Sequence, residues 1–212
     1  MEASPAAAAV ESRADQLRAG RRLQYLTIGW NSAECVVAVG AGLVAGSIAL
    51  VGFGVDSAIE VTSSLAALWR LSRDREPAHR ETAERRALQT IGVCFLLLAA
   101  YVLYESIEVL VEGRAPERSL VGIALAALSL LVMPLLARFK RRIASRLGSG
   151  ALEAETRQTE TCAWLSAIVV VGLSLNAGLG WWWADPVAAI AMVPLIAWEG
   201  LQALRGRTCC AG

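Results

Sequence analysis

Two acidic side chains, Asp56 and Glu60, sit in the middle of an otherwise apolar stretch, Ile48 to Leu71 (IALVGFGVDSAIEVTSSLAALWRL). At i,i+4 they share one helical face with Gly52, Ser63, Ser64 and Ala67. The stretch is long enough to cross a bilayer as a helix, which takes roughly 20 residues. A carboxylate at that depth costs on the order of 3 kcal/mol, so it faces a protein interior, paired or liganded. A polar contact to a neighbouring helix is one way to satisfy it; two acids on one stripe ask for a cation. A second pair at the same spacing, Gln158 and Cys162, leads into a later apolar stretch and is continued by Ser166 and Val169. Carboxylate oxygen, amide oxygen and thiolate sulfur at matched depth on two helices would build a roughly tetrahedral pocket for a borderline divalent ion such as zinc. Taken singly, Cys162 reads as well as a small buried apolar residue, and Gln158 as a helix–helix hydrogen bonder. Glu34 falls near the same depth and is a further candidate ligand or proton carrier, with hydrogen bonding between helices, alongside Asn31, as the alternative.

The elements that must position these groups follow from the hydropathy pattern. Apolar residues make up 56% of the 212, above the roughly 45–50% of soluble domains, and the mean hydropathy is +0.50. The excess lies in long runs, which gives an all-α polytopic membrane protein with six transmembrane helices. The spans run from about Leu23 to Ala45, Ile48 to Leu71, Ala87 to Val111, Leu120 to Phe139, Gly150 to Gly180 and Asp185 to Leu204. Gly46-Ser47 leaves room only for a turn, so the first two spans form a hairpin. The small residues Gly40, Gly42 and Gly46 suit close helix packing. Trp181, Trp182 and Trp183 mark a membrane–water interface. At about 1.5 Å per residue, Glu60 lies roughly 15 Å above Arg70, and Cys162 about as far above Leu152. Glu34 lies a little farther above Arg22.

Charge placement orients the chain. Most of the 20 Lys and Arg residues fall in the N-terminal segment, in Ser72–Arg86, after Phe139 (Lys140, Arg141, Arg142, Arg146) and after Leu204. The opposite side keeps Arg114 and Arg118. The positive-inside rule then puts both termini in the cytoplasm. Residues 1–22 read as a cytoplasmic segment, 23–204 as the transmembrane domain and 205–212 as a short cytoplasmic tail. The acidic, Ala-rich start is unlike a signal peptide. Five cysteines, three in apolar helices and two vicinal at Cys209-Cys210, do not read as a disulfide framework. The sole histidine, His79, lies in a cytoplasmic loop. Glu160 is expected to pair with Arg157 at i,i+3, and Glu105 and Glu108 sit at the outer interface of the third span.

The order of spans, VDSAIEVTSSLAALW on the second, and RQTETCAWLSAIVVVGLSLNAGLGWWWADPVAAI across the fifth and sixth resemble the transmembrane domain of the cation diffusion facilitator, or cation efflux, family over about Leu23 to Leu204. The resemblance implies a metal/proton antiporter that works as a homodimer. The family's Asp-x-x-x-Asp and His-x-x-x-Asp metal positions fall on Asp56 and Glu60, then Gln158 and Cys162. Three of the four differ from the pattern: Glu60 lengthens the reach by one methylene, Gln158 removes a titrating imidazole, and Cys162 softens the site. The regulatory metal-binding domain that many members carry after the sixth span is not expected here.

The function expected is export of a divalent transition metal, zinc before others, from the cytoplasm in exchange for protons. Metal binding requires deprotonated carboxylates and so displaces protons. The metal and protons are substrates, with no permanently bound cofactor. The bilayer of a bacterial inner membrane is the setting, and nothing points to nucleic acid. No nucleophile–base pair or phosphate loop is visible, so the chain is read as a transporter rather than an enzyme. Two alternatives stay open: a carrier of an organic cation bound by the same carboxylates, and a non-transporting membrane subunit that kept the fold.

Overall fold

A computed structural model describes residues 5–72, 80–147 and 150–205. It contains six α-helices: α1 (Pro5–Ala45), α2 (Ile48–Ser72), α3 (Arg80–Glu112), α4 (Leu120–Leu147), α5 (Gly150–Leu179) and α6 (Ala184–Leu204). Each is long and apolar enough to cross a membrane. Side chains such as Val44, 82% exposed, and Leu120, 75% exposed, point outward, which only a hydrocarbon solvent makes favourable over so many positions. The chain is an integral multi-pass membrane protein.

Helix α2 is the centre of the bundle. It packs on α1, α3, α5 and α6, and 56% of its membrane window is buried against 28% for α1, α4 and α6. Phe53, Leu50, Phe95, Met133, Leu165 and Met192 form the apolar core around it. Backbone-to-backbone approach sets the α1–α2 hairpin. A Cβ on Gly42 would meet the Val51 nitrogen at 2.9 Å, and one on Gly54 would meet that of Val39 at 2.9 Å. Gly42 therefore serves packing inside the chain, whereas Gly40 borders open space. Gly46, at φ 63°, turns the hairpin in a region that residues with a Cβ rarely enter.

The element order follows the hydropathy reading, but three helices run beyond their apolar stretches: α1 begins at Pro5, α3 begins at Arg80, and α4 is extended at its end. The fourth span does not close at Phe139; α4 continues to Leu147. The reason is chemical. Lys140 does not meet water there but turns inward and is fully buried, so the helix has buried partners to hold beyond the apolar run. Trp181 and Trp183 stack with ring centroids 5.1 Å apart and stay partly exposed at the end of α5.

At that same end Asp185, in the first turn of α6, reaches across to the start of α2. Its Oδ1 accepts from Ser47 Oγ at 2.5 Å and its Oδ2 from the Ile48 N–H at 3.0 Å. Ser47 Oγ in turn accepts from the Leu50 N–H at 3.1 Å, capping α2. A buried carboxylate over orphan amides at the positive end of a helix is a favourable arrangement. Asn176 donates to the Pro116 carbonyl at 3.1 Å beside it. Asp185→Ala should lower stability by about 2–3 kcal/mol, the range of hydrogen bonds to a charged group, read from unfolding in mixed micelles, with Asp185→Asn losing less.

Candidate functional site: a buried carboxylate cluster between α1, α2, α4 and α5

The acid pair of α2 faces inward. Asp56 is 4% exposed and Glu60 fully buried. Opposite them α5 presents a stripe at i, i+4, i+7 and i+11: Glu155, Thr159, Cys162 and Ser166, all buried. The Cys162 thiol lies beside both carboxyl groups of the pair. Thr159 Oγ1 donates to Glu60 Oε1 at 2.6 Å. Glu34 of α1 completes the rim, accepting from Ser57 Oγ at 2.8 Å, with Ser129 and Trp30 nearby.

The structure thus brings Asp56, Glu60 and Cys162 together, with Glu34 at their edge. Gln158 is buried nearby, but its Nε2 has no hydrogen-bond partner, and the α5 residue that bonds Glu60 is its neighbour Thr159. Among the described residues no three His, Cys, Asp or Glu side chains converge tightly enough to hold a metal ion in this conformation. What they do offer is unused oxygen. Glu34 Oε1 and Glu60 Oε2 are buried without a hydrogen-bond partner, an arrangement costly unless a proton or cation takes them up.

Four residues of this cluster escape a reading of the sequence. Lys140 of α4, assigned there to a cytoplasmic basic loop, is buried with its Nζ 2.9 Å from Glu155 Oε1, 2.8 Å from Thr159 Oγ1 and 3.8 Å from Glu60 Oε1. Glu60 is therefore not uncompensated. Glu155 is held from two more helices, by Ser64 Oγ of α2 at 2.6 Å and by Gln24 Nε2 of α1. The signal for Glu155 and Thr159 was their place on the Cys162 stripe. The signal for Lys140 is that it is the single lysine of the chain, every other basic residue among the 20 being arginine. A second expectation also gives way: Glu160 pairs with Arg141 of α4, while Arg157 stands beside Glu199 of α6, which accepts from Thr161 at 2.6 Å. His79, Cys209 and Cys210 lie outside the described residues.

The balance of charge decides what this arrangement can do. Four buried carboxyls, Glu34, Asp56, Glu60 and Glu155, share one buried ammonium among the described residues. In a low-dielectric interior the remainder must be neutralised by protons or by a bound cation. Such a cluster binds and releases positive charge.

The sequence matches the cation efflux transmembrane domain over residues 25–206, nearly the whole chain. The protein belongs to the cation efflux family. The chain carries that family's transmembrane domain. It is 30% identical over 194 residues to the uncharacterized transporter sll1263 of Synechocystis sp., covering 89% of this chain and 63% of that one. It is also 26% identical over 167 residues to the magnetosome protein MamB of Paramagnetospirillum magneticum, covering 76% of this chain and 56% of that protein. The MamB of Magnetospirillum gryphiswaldense matches over the same shares. The chain thus spans less than two thirds of the length of these relatives.

Within this cation efflux protein the Lys140–Glu155 pair ties α4 to α5. Glu155→Ala should destabilise the fold by about 3–5 kcal/mol by leaving a buried ammonium short of its nearest carboxylate, and replacing both residues by Met should recover most of the loss. Thermal unfolding in detergent micelles reads both.

Proposed function

We propose that the protein exports a divalent transition-metal cation, zinc in the first place, from the cytoplasm in exchange for protons. The observation that carries this reading is the excess of buried carboxyl groups over buried cations beside a thiol. Asp56, Glu60 and Cys162 are the ligands, with Glu34 and Gln158 closing in as the helices tighten on the ion. Carboxylate oxygens with one thiolate suit zinc better than magnesium or calcium, which favour oxygen alone. Ligands that carry protons when unliganded lose them to bind metal, so entry of the ion from one side expels protons, and protons from the other side compete it off.

Arg18, Arg21, Arg22, Arg141, Arg142 and Arg146 lie toward one end of the bundle, while Arg114 and Arg118 mark the other. That asymmetry supports cytoplasmic termini in a bacterial inner membrane. The working unit is a homodimer, as the resemblance of the family implies.

Proteoliposomes loaded with a pH-sensitive dye test the exchange. A zinc gradient should drive proton movement in the wild type and none in Asp56→Ala. Proton movement with an organic cation but not with zinc would replace the metal by that substrate, and movement with neither would leave a non-transporting subunit. Cys162→Ser should weaken zinc and cadmium binding about tenfold or more, a ligand-loss effect, while leaving manganese, which prefers oxygen, nearly unchanged. Calorimetric titration of the purified protein with each metal checks this.

A further inference from the structure

Within the carboxylate cluster one positive charge is already in place. The Lys140 ammonium is seated among oxygens from two helices: Glu155 Oε1 at 2.9 Å, Thr159 Oγ1 at 2.8 Å and Glu60 Oε1 at 3.8 Å. Its side chain is fully buried, as is that of Glu60. The seat is built rather than incidental. Thr159 donates its own hydrogen to Glu60 at 2.6 Å, so its lone pairs are left to the ammonium. Gln24 holds Glu155 by its Oε2, while Glu155 Oε1 accepts from Ser64 Oγ at 2.6 Å as well as from Lys140. Three helices meet at this one nitrogen, and Gln24 ties a fourth to it through Glu155.

Glu60 straddles two environments. Its Oε1 turns to Lys140 and Thr159, while its Oε2 is buried without a partner and its carboxyl lies beside the Cys162 thiol, which Asp56 also adjoins. The cluster is therefore divided. One half holds a tethered cation and the other holds unused ligand atoms, with Glu60 common to both. The chain uses arginine at every other basic position. A compact, strongly hydrated ammonium on a flexible stem can leave such a seat, whereas a guanidinium forked onto two carboxylates is held harder.

We propose that Lys140 is a built-in competing cation: its ammonium occupies the Glu60–Glu155–Thr159 half of the cluster, and the incoming substrate cation takes Glu60 from it. This rests on the metal-transport reading of the same site. The charge of Lys140, rather than its proton, is what competes. The lysine sets the affinity, weakening the hold on the substrate so that release remains possible, and it returns to Glu60 when the ion has gone. Lys140 is a positioning residue in this sense, acting on the substrate through Glu60.

Calorimetric titration of the full chain in detergent with zinc, cadmium, cobalt and manganese provides the test. Lys140→Met should tighten divalent binding at least tenfold, and Lys140→Arg, which keeps the charge, should not tighten it. A folded Lys140→Met variant with unchanged or weaker binding overturns the proposal, since a lysine that only braced the helices would lower stability without raising affinity. If Lys140→Met fails to fold, the wild type decides the matter. Its only ε-amine can be acylated with an N-hydroxysuccinimide ester and followed by peptide mass, apart from the α-amine. Saturating zinc should accelerate modification of Lys140 at least threefold over protein in chelator; an unchanged rate overturns the proposal. Asp56→Ala separates the two readings. Zinc binding that survives Asp56→Ala defeats the proposed metal site and leaves the lysine result to be read by itself. Absence of divalent binding to wild type and Lys140→Met alike defeats both.

Discussion

Neutralising buried carboxyl groups where water cannot reach them is the constraint on which the structure turns. Helix α2 could not carry Asp56 and Glu60 through the middle of the bundle unless its neighbours brought something to answer them. Helix α5 brings Thr159 and Cys162, α4 brings Lys140, and α1 brings Glu34, which adds to the demand instead of meeting it. The most buried helix is thus also the most acidic in its core. Its packing on α1, α3, α5 and α6 is what keeps those acids from lipid.

The two ends of the bundle are finished differently. At the Trp181–Trp183 end, Asp185 caps α2 and Asn176 ties α5 to the loop before α4. These are short, fully satisfied contacts to backbone and hydroxyl. At the other end the ties run through Glu155, Lys140 and Gln24, among charged side chains whose partners can be exchanged. A satisfied cap favours one arrangement, whereas an ion-pair network has alternatives of similar energy whenever another cation is at hand. The cluster therefore sits next to the more changeable end of the bundle.

Much of this is legible in the amino-acid sequence. Six spans, the Gly46 hairpin turn and the inward acids of α2 follow from hydropathy and i,i+4 spacing alone, because a bilayer leaves few options for charged groups and unpaired backbone. What was hidden depends on helix rotation and pairing. Lys140 follows LLARF and precedes two arginines, which by itself is indistinguishable from an interfacial basic cluster. Only the packing of α4 on α5 shows that it points inward while Arg141 points out to Glu160. In the same way Gln158 and Thr159 are neighbours about 100° apart around α5. Which of them meets Glu60 is decided by how that helix is turned, and the structure gives the contact to Thr159. Glu155 lies in the polar first turns of α5, and only the packing of three other helices brings Ser64, Gln24 and Lys140 onto it.

The central claim is that the ion is taken between α2 and α5 by carboxylate oxygens and the Cys162 sulfur. Zinc X-ray absorption on the loaded protein tests it most directly. The account predicts a mixed shell, with one sulfur at about 2.3 Å and oxygen scatterers at about 2.0–2.2 Å, and loss of the sulfur in Cys162→Ser. A shell without sulfur in the wild type, or one unchanged by Cys162→Ser, would contradict it.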